Sequence, residues 1–398
     1  MKKVFLTTIA LLSIASASVF GMYGANSGWI NFLTHGNQFR ARMEQLGFTL
    51  GNDTIKGTFG FFNDGRGAYG SMLSQSTATG EAGTGLYYDF TPTISMGLAY
   101  TSSLISVGVG YNATIGPRWD RYNGKTDSKK VEAVVHTPVL VLNAMDNAFR
   151  MAIPIQVVNL TDKATDGKGS VTAVSLDAQF RYYTGLDFLP QIRLYIKYGN
   201  YGTQFNPEGA EKIKETFAES FGFDFRLYFG SMVEEVALQP IVKLAYNGAL
   251  GKQHDKTKVT AISALDDAAG VPGKFASILG GAGTESLSTY STNAAWKKGA
   301  WDLTLAPALG LTANSDIVSL YVEPSLGLKI TQPGSATDNK AKELYSLAWG
   351  AYAEIYITPL KNLEWYFEAD VSGGDASLKE PPVNLAASTG ITWYLPAL

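Results

Sequence analysis

The segment 221–230, FGFDFRLYFG, alternates strictly between apolar and polar residues. Phenylalanine and leucine occupy every odd position, whereas Asp224, Arg226 and Tyr228 occupy even positions. Because successive side chains of a β-strand point to opposite faces, this pattern predicts a strand with one apolar face and one polar face. The fold class then depends on whether the apolar face meets a protein core or lipid.

The same alternation recurs along most of the chain. It is strongest at 174–182, 191–198, 301–311, 318–330 and 363–371, where the apolar face carries no charge and the other face carries both signs. Weaker versions occupy 54–62, 83–90, 93–101, 104–115, 129–143, 147–160, 236–247, 289–297 and 343–358. The division of 93–115 into strands stays open. The pattern predicts an all-β chain of about 14–16 strands.

Two kinds of connection separate these segments. Tight turns rich in Gly, Pro, Asn and Asp lie at 51–53, 143–147, 313–316 and 358–362. Long polar connections lie at 63–82, 116–128, 199–216, 249–288 and 331–342. Short turns on one side and long loops on the other are typical of a transmembrane antiparallel β-barrel.

Helical signals are sparse. Asn206-Pro207-Glu208, followed by Ile213 and Phe217, predicts a short helix inside one loop. The segment 39–44, FRARME, fits a helix or a strand equally. A helix there would plug the barrel, and we prefer a first strand.

Strand length favours lipid over a soluble core. A strand of ten residues rises about 33 Å, and a tilt near 40° reduces its vertical reach to about 25 Å, the height of an outer-membrane apolar band. Sandwich strands more often contain about five or six residues. The chain ends in STGITWYLPAL, an alternating segment like those that bacterial outer-membrane barrels use for assembly. Aromatic residues near strand ends predict interfacial girdles: Tyr198, Tyr228, Trp301, Trp365 and Trp393.

Energetics orient the strands. Lysine or arginine on the lipid face costs about 2–4 kcal/mol near the bilayer midplane, so charged side chains are expected to face inward. The lumen-lining candidates are Arg193, Lys197, Asp224, Arg226, Glu323, Lys329, Glu364, Glu368 and Asp370. Their mixed signs predict weak selectivity in an open lumen, leaning toward cations near the C-terminal strands. Paired charges that brace a closed interior fit the same residues.

The first 21 residues, MKKVFLTTIALLSIASASVFG, fit a secretory signal peptide. Lys2 and Lys3 form its basic end, and cleavage after Ala17 or Gly21 is equally consistent with the small residues present. The predicted organisation is a cleaved signal at 1–21 and one barrel at 22–398. The chain has no cysteine and a net charge of −3, which gives no reason to expect disulfides or nucleic-acid binding.

No motif indicates catalysis. The three histidines are His35, His136 and His254, and no two lie at metal-ligand spacing. No nucleophile elbow, zinc-protease or phosphate-loop motif occurs. We therefore expect no enzymatic activity, cofactor or metal.

The N-terminal region carries a resemblance to a known family. The sequence GWINFLTHGNQFRARM at 28–43, with the glycine-rich hairpin that follows, resembles the variable surface proteins of Brachyspira spirochaetes. The resemblance implies a major outer-membrane protein that is exposed to the host and whose loops vary between paralogues. It implies no catalytic residue.

Three functions remain as hypotheses. The first is a surface coat protein and antigen of the cell outer membrane, with loop 249–288 as its largest exposed segment. The second is a general diffusion porin, and the third is a soluble exported binding module. The first two predict outer-membrane lipid as a partner, assembly machinery acting through the C-terminal strand, and host antibodies at the long loops. The oligomeric state is not predicted.

Overall fold

The computed structural model covers most of the chain that follows the predicted signal peptide. The residues that it describes are 28–42, 45–63, 75–80, 83–88, 92–122, 128–162, 169–205, 213–233, 236–250, 252–254, 296–332, 342–373 and 383–396.

Sixteen antiparallel strands form one closed barrel. They are β1 Gln38–Arg42, β2 Gln45–Gly51, β3 Ile55–Asn63, β4 Pro92–Tyr100, β5 Ile105–Tyr122, β6 Ser128–Ala144, β7 Phe149–Asp162, β8 Gly169–Tyr183, β9 Gln191–Phe205, β10 Ile213–Tyr228, β11 Val236–Ala249, β12 Trp301–Asn314, β13 Val318–Gln332, β14 Leu344–Leu360, β15 Leu363–Gly373 and β16 Asn384–Tyr394. Each strand pairs with its neighbours in sequence, and β16 pairs with β1 to close the sheet. The predicted fold class is therefore confirmed.

A few short elements add to these sixteen strands, and some of them extend the same sheet. The strands Gln75–Gly80 and Gly83–Tyr88 form a hairpin, and Lys252–His254 pairs with Trp296–Lys298. The strand Ser231–Val233 pairs with the start of β11. Near the N-terminus, the helix α1 spans Gly28–Asn31 and a 3₁₀ turn spans Phe32–Thr34. Within the described ranges, no helix has the length and apolar character needed to cross a membrane.

Burial in the sheet is inverted relative to a soluble protein. On β15, Glu364 and Glu368 are buried, whereas Trp365 between them is 48% exposed. On β13, Leu326 and Leu328 are exposed on the outer face. A closed single-layer sheet with apolar side chains outside and polar side chains inside is suited to lipid.

The two ends of the barrel differ in their connections. Between β2 and β3, β4 and β5, β6 and β7, β12 and β13, and β14 and β15, the chain turns within a few residues, at the end that we call the short-turn end. The longest connections, 64–91, 250–300, 333–343 and 374–383, all leave the opposite end, the long-loop end. The predicted asymmetry is thus present.

Several predicted loops are strand instead. The strand β5 continues to Tyr122, and β9 and β10 occupy most of 199–216, where long connections were predicted. The predicted helix in that region is wrong for its described part, because Ile213 and Phe217 belong to β10, while Asn206-Pro207-Glu208 lies outside the described residues. Antiparallel pairing satisfies the backbone without an apolar face, so strands can extend past the alternating pattern.

Two ambiguous segments are resolved. Residues 93–115 form two strands, β4 and β5, joined by the turn 101–104. The first strand β1 occupies Gln38–Arg42, so the preference for a strand over a helix there is correct for the described residues. Segment 83–90 contributes to the Gln75–Tyr88 hairpin and is not a barrel strand.

Candidate functional site

The α1 helix and the following 3₁₀ turn, Gly28–Thr34, lie inside the barrel at the short-turn end, and we call them the N-terminal plug. Trp29, Ile30 and Phe32 are fully buried, and Leu33 is 3% exposed. They pack in one apolar cluster with Ala99, Val139, Val141 and Ala152 of the barrel wall. Burying each large apolar side chain contributes about 1.5–3 kcal/mol, so this seat holds the plug firmly.

The part of the barrel wall that contacts the plug contains three glycines. A Cβ atom added to Gly110 would lie 2.1 Å from the ring of Trp29, and one added to Gly97 would lie 2.9 Å from it. A Cβ on Gly108 would touch Phe32 and Leu33 within 3.3 Å. These three glycines therefore make the space that the plug fills.

Cationic side chains fix the polar atoms of the plug. Arg150 donates from Nη1 to Asn31 Oδ1 at 3.0 Å, and Arg181 donates to the same oxygen at 3.4 Å. Lys56 Nζ donates to the backbone oxygens of Leu33 at 2.7 Å and His35 at 2.8 Å. The lysine thereby satisfies carbonyl groups that the end of the short helix leaves open.

A network of tyrosines and glutamates lines the facing wall. The Tyr352 hydroxyl lies 2.7 Å from a Glu368 oxygen and also contacts Glu354, and Tyr356 donates to Glu354 at 3.0 Å. Glu354 is 1% exposed and Glu368 is 6% exposed. We call this set the tyrosine–glutamate network. With the plug, it fills both sides of the lumen near the short-turn end with buried side chains.

The remaining predicted residues of β15 belong to or border this network. Glu364 is buried and accepts a hydrogen bond from Tyr394 at 2.9 Å, and Tyr366 donates to Glu368. The guanidinium of Arg42 lies 3.8 Å from the centre of the Tyr366 ring. Asp370 is half-buried and pairs across the sheet with Tyr352.

The predicted residues of β9 and β10 lie together on the other wall. Arg193 is buried and donates from Nε and Nη2 to Gln191 Oε1 at 3.1 and 2.9 Å. Arg226 and Asp224 form an ion pair at 2.5 Å. Lys197 is half-buried, opposite Asp177 in the register of β8 and β9.

Two predicted residues, Glu323 and Lys329, lie on β13, and an unpredicted lysine of β11 contacts the first of them. Glu323 forms an ion pair with Lys243 of β11, and Tyr321 donates to the same carboxylate. Lys329 is half-buried, between Thr304 and Ser346 in the strand register. Whether these residues line a water-filled path stays a prediction.

Sequence reasoning missed several residues of this interior. Arg150, Arg181, Lys243 and Glu354 were not among the predicted lumen residues, although each occupies the polar face of an alternating strand. One girdle residue is also corrected: Tyr228 is 2% exposed, and its ring lies 4.4 Å from the guanidinium carbon of Arg193. Its even position beside Asp224 and Arg226 was the available signal. Trp365 and Trp393 are exposed on the outer face.

The described residues offer no metal site. Among them, no three His, Asp or Glu side chains lie close enough together to hold an ion. His136 contacts the Tyr111 hydroxyl through Nδ1 at 2.5 Å, and His254 forms part of the Lys252–His254 strand.

His35 connects plug stability to pH. Burial and the positive charges of Arg40, Lys56, Arg150 and Arg42 lower the pKa of His35 well below its ordinary value of 6.5. The unfolded chain therefore binds a proton more readily than the folded chain as pH falls through 6.5. The stability that neutral His35 contributes is present above that pH and is lost below it.

We expect the unfolding midpoint of the barrel to decrease between about pH 7.5 and pH 5.5, because the unfolded chain then binds a proton at His35 that the folded chain, with its cations around this residue, does not bind. A His35→Gln variant is expected to lose less stability over the same range. Unfolding followed by tryptophan fluorescence in detergent measures both proteins, and the difference between them isolates His35 from the titrating carboxylates. Equal pH dependence of the two proteins would contradict this role.

Comparison with known families identifies relatives over nearly the whole chain. The family described as "Serpulina hyodysenteriae variable surface protein" matches residues 2–394. The resemblance carried by residues 28–43 is thereby confirmed. No curated protein sequence matches the chain.

Solved outer-membrane proteins show distant structural similarity. "Copper transporter OprC" aligns with 88% of this chain at 11% identity and a TM-score of 0.39, and this chain covers 56% of that protein. "Bacterial polysaccharide outer membrane secretin" aligns with 90% of this chain at 9% identity and a TM-score of 0.40, with 98% of that protein covered. The translocator domain of the autotransporter NalP from Neisseria meningitidis aligns with 74% of this chain at 15% identity and a TM-score of 0.30, with 90% of it covered. The barrel assignment rests on the closed strand pairing.

Proposed function

The chain belongs to this family of variable surface proteins, and from that premise we propose that it acts as a surface-exposed coat protein and antigen of the outer membrane. The observation that carries the proposal is that the longest connections all leave one end of the barrel. A barrel with this asymmetry presents its long loops on the outside of the cell. Loop 249–288 lies, apart from Ala249 at the end of β11, within the longest connection and is the largest candidate for exposure.

The packed interior supports a structural role over transport. The N-terminal plug and the tyrosine–glutamate network both bury their side chains near the short-turn end. A general diffusion porin needs an aqueous path through the lumen, and sixteen strands can enclose one only where side chains leave space. We therefore place the porin second, as a function that would require the plug to move.

Two partners follow from this proposal. The C-terminal strand β16 exposes Ile391 and Trp393 on its outer face, which suits recognition by barrel-assembly machinery. Host antibodies would bind the long loops. No described group of side chains supports catalysis, and we propose no enzymatic activity. A soluble exported binding module is disfavoured because the apolar faces point outward and do not meet one another.

Surface exposure can be tested with paired epitope tags. We expect a tag inserted after Gly270 in the longest connection to bind antibody on intact cells, because this connection leaves the long-loop end. The same tag inserted after Asp187, in the turn between β8 and β9, should bind only after lysis. Both proteins must migrate as folded, heat-modifiable barrels. Labelling of intact cells through the Asp187 tag alone would reverse the proposed orientation.

A further inference from the structure

A continuous row of cations crosses adjacent strands of the barrel interior. In the strand register Arg150 lies opposite Arg181, and Arg181 lies opposite Arg193. Arg193 in turn lies opposite Arg226, and Arg226 lies opposite Lys243. Like charges that face each other directly across strands are destabilising, so an uninterrupted row needs compensation.

Among the residues that the structure describes, anions pair with the cations at one end of this cation row. Asp224 pairs with Arg226, and Glu323 pairs with Lys243. These two pairs are partly exposed, with side-chain exposures between 13% and 28%. The end of the row that contains Arg226 and Lys243 is therefore partly exposed, and it is accessible from the rest of the lumen.

The other three cations contact neutral groups only, as far as the described residues show. Arg150 and Arg181 donate to Asn31, and Arg193 donates to Gln191. Arg150 also donates to the backbone oxygen of Asn147 at 3.2 Å and to the Thr34 hydroxyl at 3.4 Å, and its guanidinium carbon lies 4.8 Å from the Tyr183 ring centre. All three arginines are at least nine-tenths buried, with exposures of 9%, 1% and 8%. Buried cations without a counterion are costly.

Two buried donors beside these arginines also lack acceptors. Arg181 Nε and Gln191 Nε2 are buried and make no hydrogen bond with any described residue. Gln191 already accepts from Arg193 through Oε1, so its free atom is a donor. Three uncompensated cations and two orphan donors form one cluster whose missing component is an acceptor with negative charge.

We propose that Arg150, Arg181, Arg193 and Gln191 bind a soluble oxyanion of the phosphate or carboxylate class inside the barrel. Guanidinium groups match such anions through paired, charge-assisted hydrogen bonds. The anion reaches Arg193 from the partly exposed end of the row, where Arg226 lies. The cluster faces the interior, away from the lipid face of the sheet, which favours a soluble anion over a lipid headgroup.

Inorganic phosphate titrated into the refolded, full-length mature barrel tests this site. The titration is made by calorimetry in nonionic detergent, with chloride replaced by phosphate at constant ionic strength. We expect saturable binding and an affinity that falls about tenfold or more in Arg193→Met, because one charged hydrogen-bonding group is lost. Lys361→Gln removes one positive charge from an exposed turn residue and should bind phosphate like the parent.

A purely structural role for the arginine gives a different result. Arg193→Met would then change the unfolding midpoint in chloride and leave the response to phosphate unaltered. Absence of saturable binding by the parent protein, or equal affinities in the parent and Arg193→Met, would overturn the proposal. Arg181→Met is a second test, read only if it migrates as a folded barrel.

Changing the lipid composition of the bilayer distinguishes a soluble anion from a lipid headgroup. Phosphate binding should be equal in vesicles of phosphatidylcholine and in vesicles that also contain phosphatidylglycerol. If anionic lipid abolishes the binding, a headgroup occupies the cluster, and the assignment to a soluble anion is wrong.

Discussion

The full-length mature barrel is expected to give no stable current steps in planar bilayers, whereas a chain lacking Gly28–Thr34 is expected to conduct in discrete steps. The plug contributes Trp29, Ile30, Phe32 and Leu33, all buried inside the sheet. Its removal leaves Gly97, Gly108 and Gly110 facing an empty volume, because these residues have no side chains to fill it. Sixteen strands are enough to enclose an aqueous channel once that volume is open.

A pair of glycine substitutions tests the contact between the plug and the barrel wall without deleting any residue. Gly110→Ala places a Cβ 2.1 Å from the Trp29 ring, so the plug must shift. Gly57→Ala adds the same methyl group to the nearby strand β3 but on its outer face, away from the plug, where its nearest contact is 3.9 Å away. We expect brief conductance events from Gly110→Ala and none from Gly57→Ala.

Heat-modifiable migration on a gel must first show that every variant is folded. Steady currents of the same size from the full-length and deleted proteins would mean that the plug does not close the lumen, and the porin would become the better function. Absence of current from both folded proteins would mean that other segments also close the barrel. The coat function would then remain the proposal, but the plug would not be what closes the lumen.

The barrel itself could be predicted because lipid imposes a period on the sequence. Each strand that crosses the bilayer must keep charge off one face, and this produces alternation such as that of 221–230. The strand number fell within the predicted range for the same reason. Strand ends above the membrane carry polar residues on both faces, so β5 and β9 extended beyond what alternation could show.

The plug could not be predicted because it is too short to have a helical period. The sequence GWINFLT contains a single α-helical turn and a 3₁₀ turn, and its apolar residues are buried mainly by distant residues of the barrel wall. A signal was nevertheless present in β5, whose segment SVGVG places glycine where an inward-facing polar residue was expected. Glycine at successive inward positions indicates that something else occupies the space.

The cation row could not be predicted from the sequence for a different reason. Arg150, Arg181 and Arg193 are distant in sequence from any shared motif, and only the register of β7, β8 and β9 aligns them. Register depends on the length of every intervening turn, which alternation does not determine. Single charges on a polar face were visible from the sequence, but their meeting across strands was not.

Replacing Leu326 with arginine is expected to lower the free energy of unfolding by about 2–4 kcal/mol, because the charge enters the hydrocarbon near the middle of β13. Leu326 is 57% exposed on the outer face and has apolar neighbours on the same face. The measurement is denaturant unfolding of the barrel in phospholipid vesicles, followed by tryptophan fluorescence.

Ser325→Arg is the matched control, since it adds the same side chain one residue earlier and on the opposite face. Ser325 is half-buried and donates to the backbone oxygen of Gly350 at 3.3 Å, so its loss removes only one weak hydrogen bond. An arginine at this position can remain with the polar interior, and we expect a much smaller decrease in stability. Equal losses from the two variants would mean that alternation on β13 does not separate lipid from lumen. The assignment of Glu323 and Lys329 to the interior would then fail with it, because both lie on the face of Ser325.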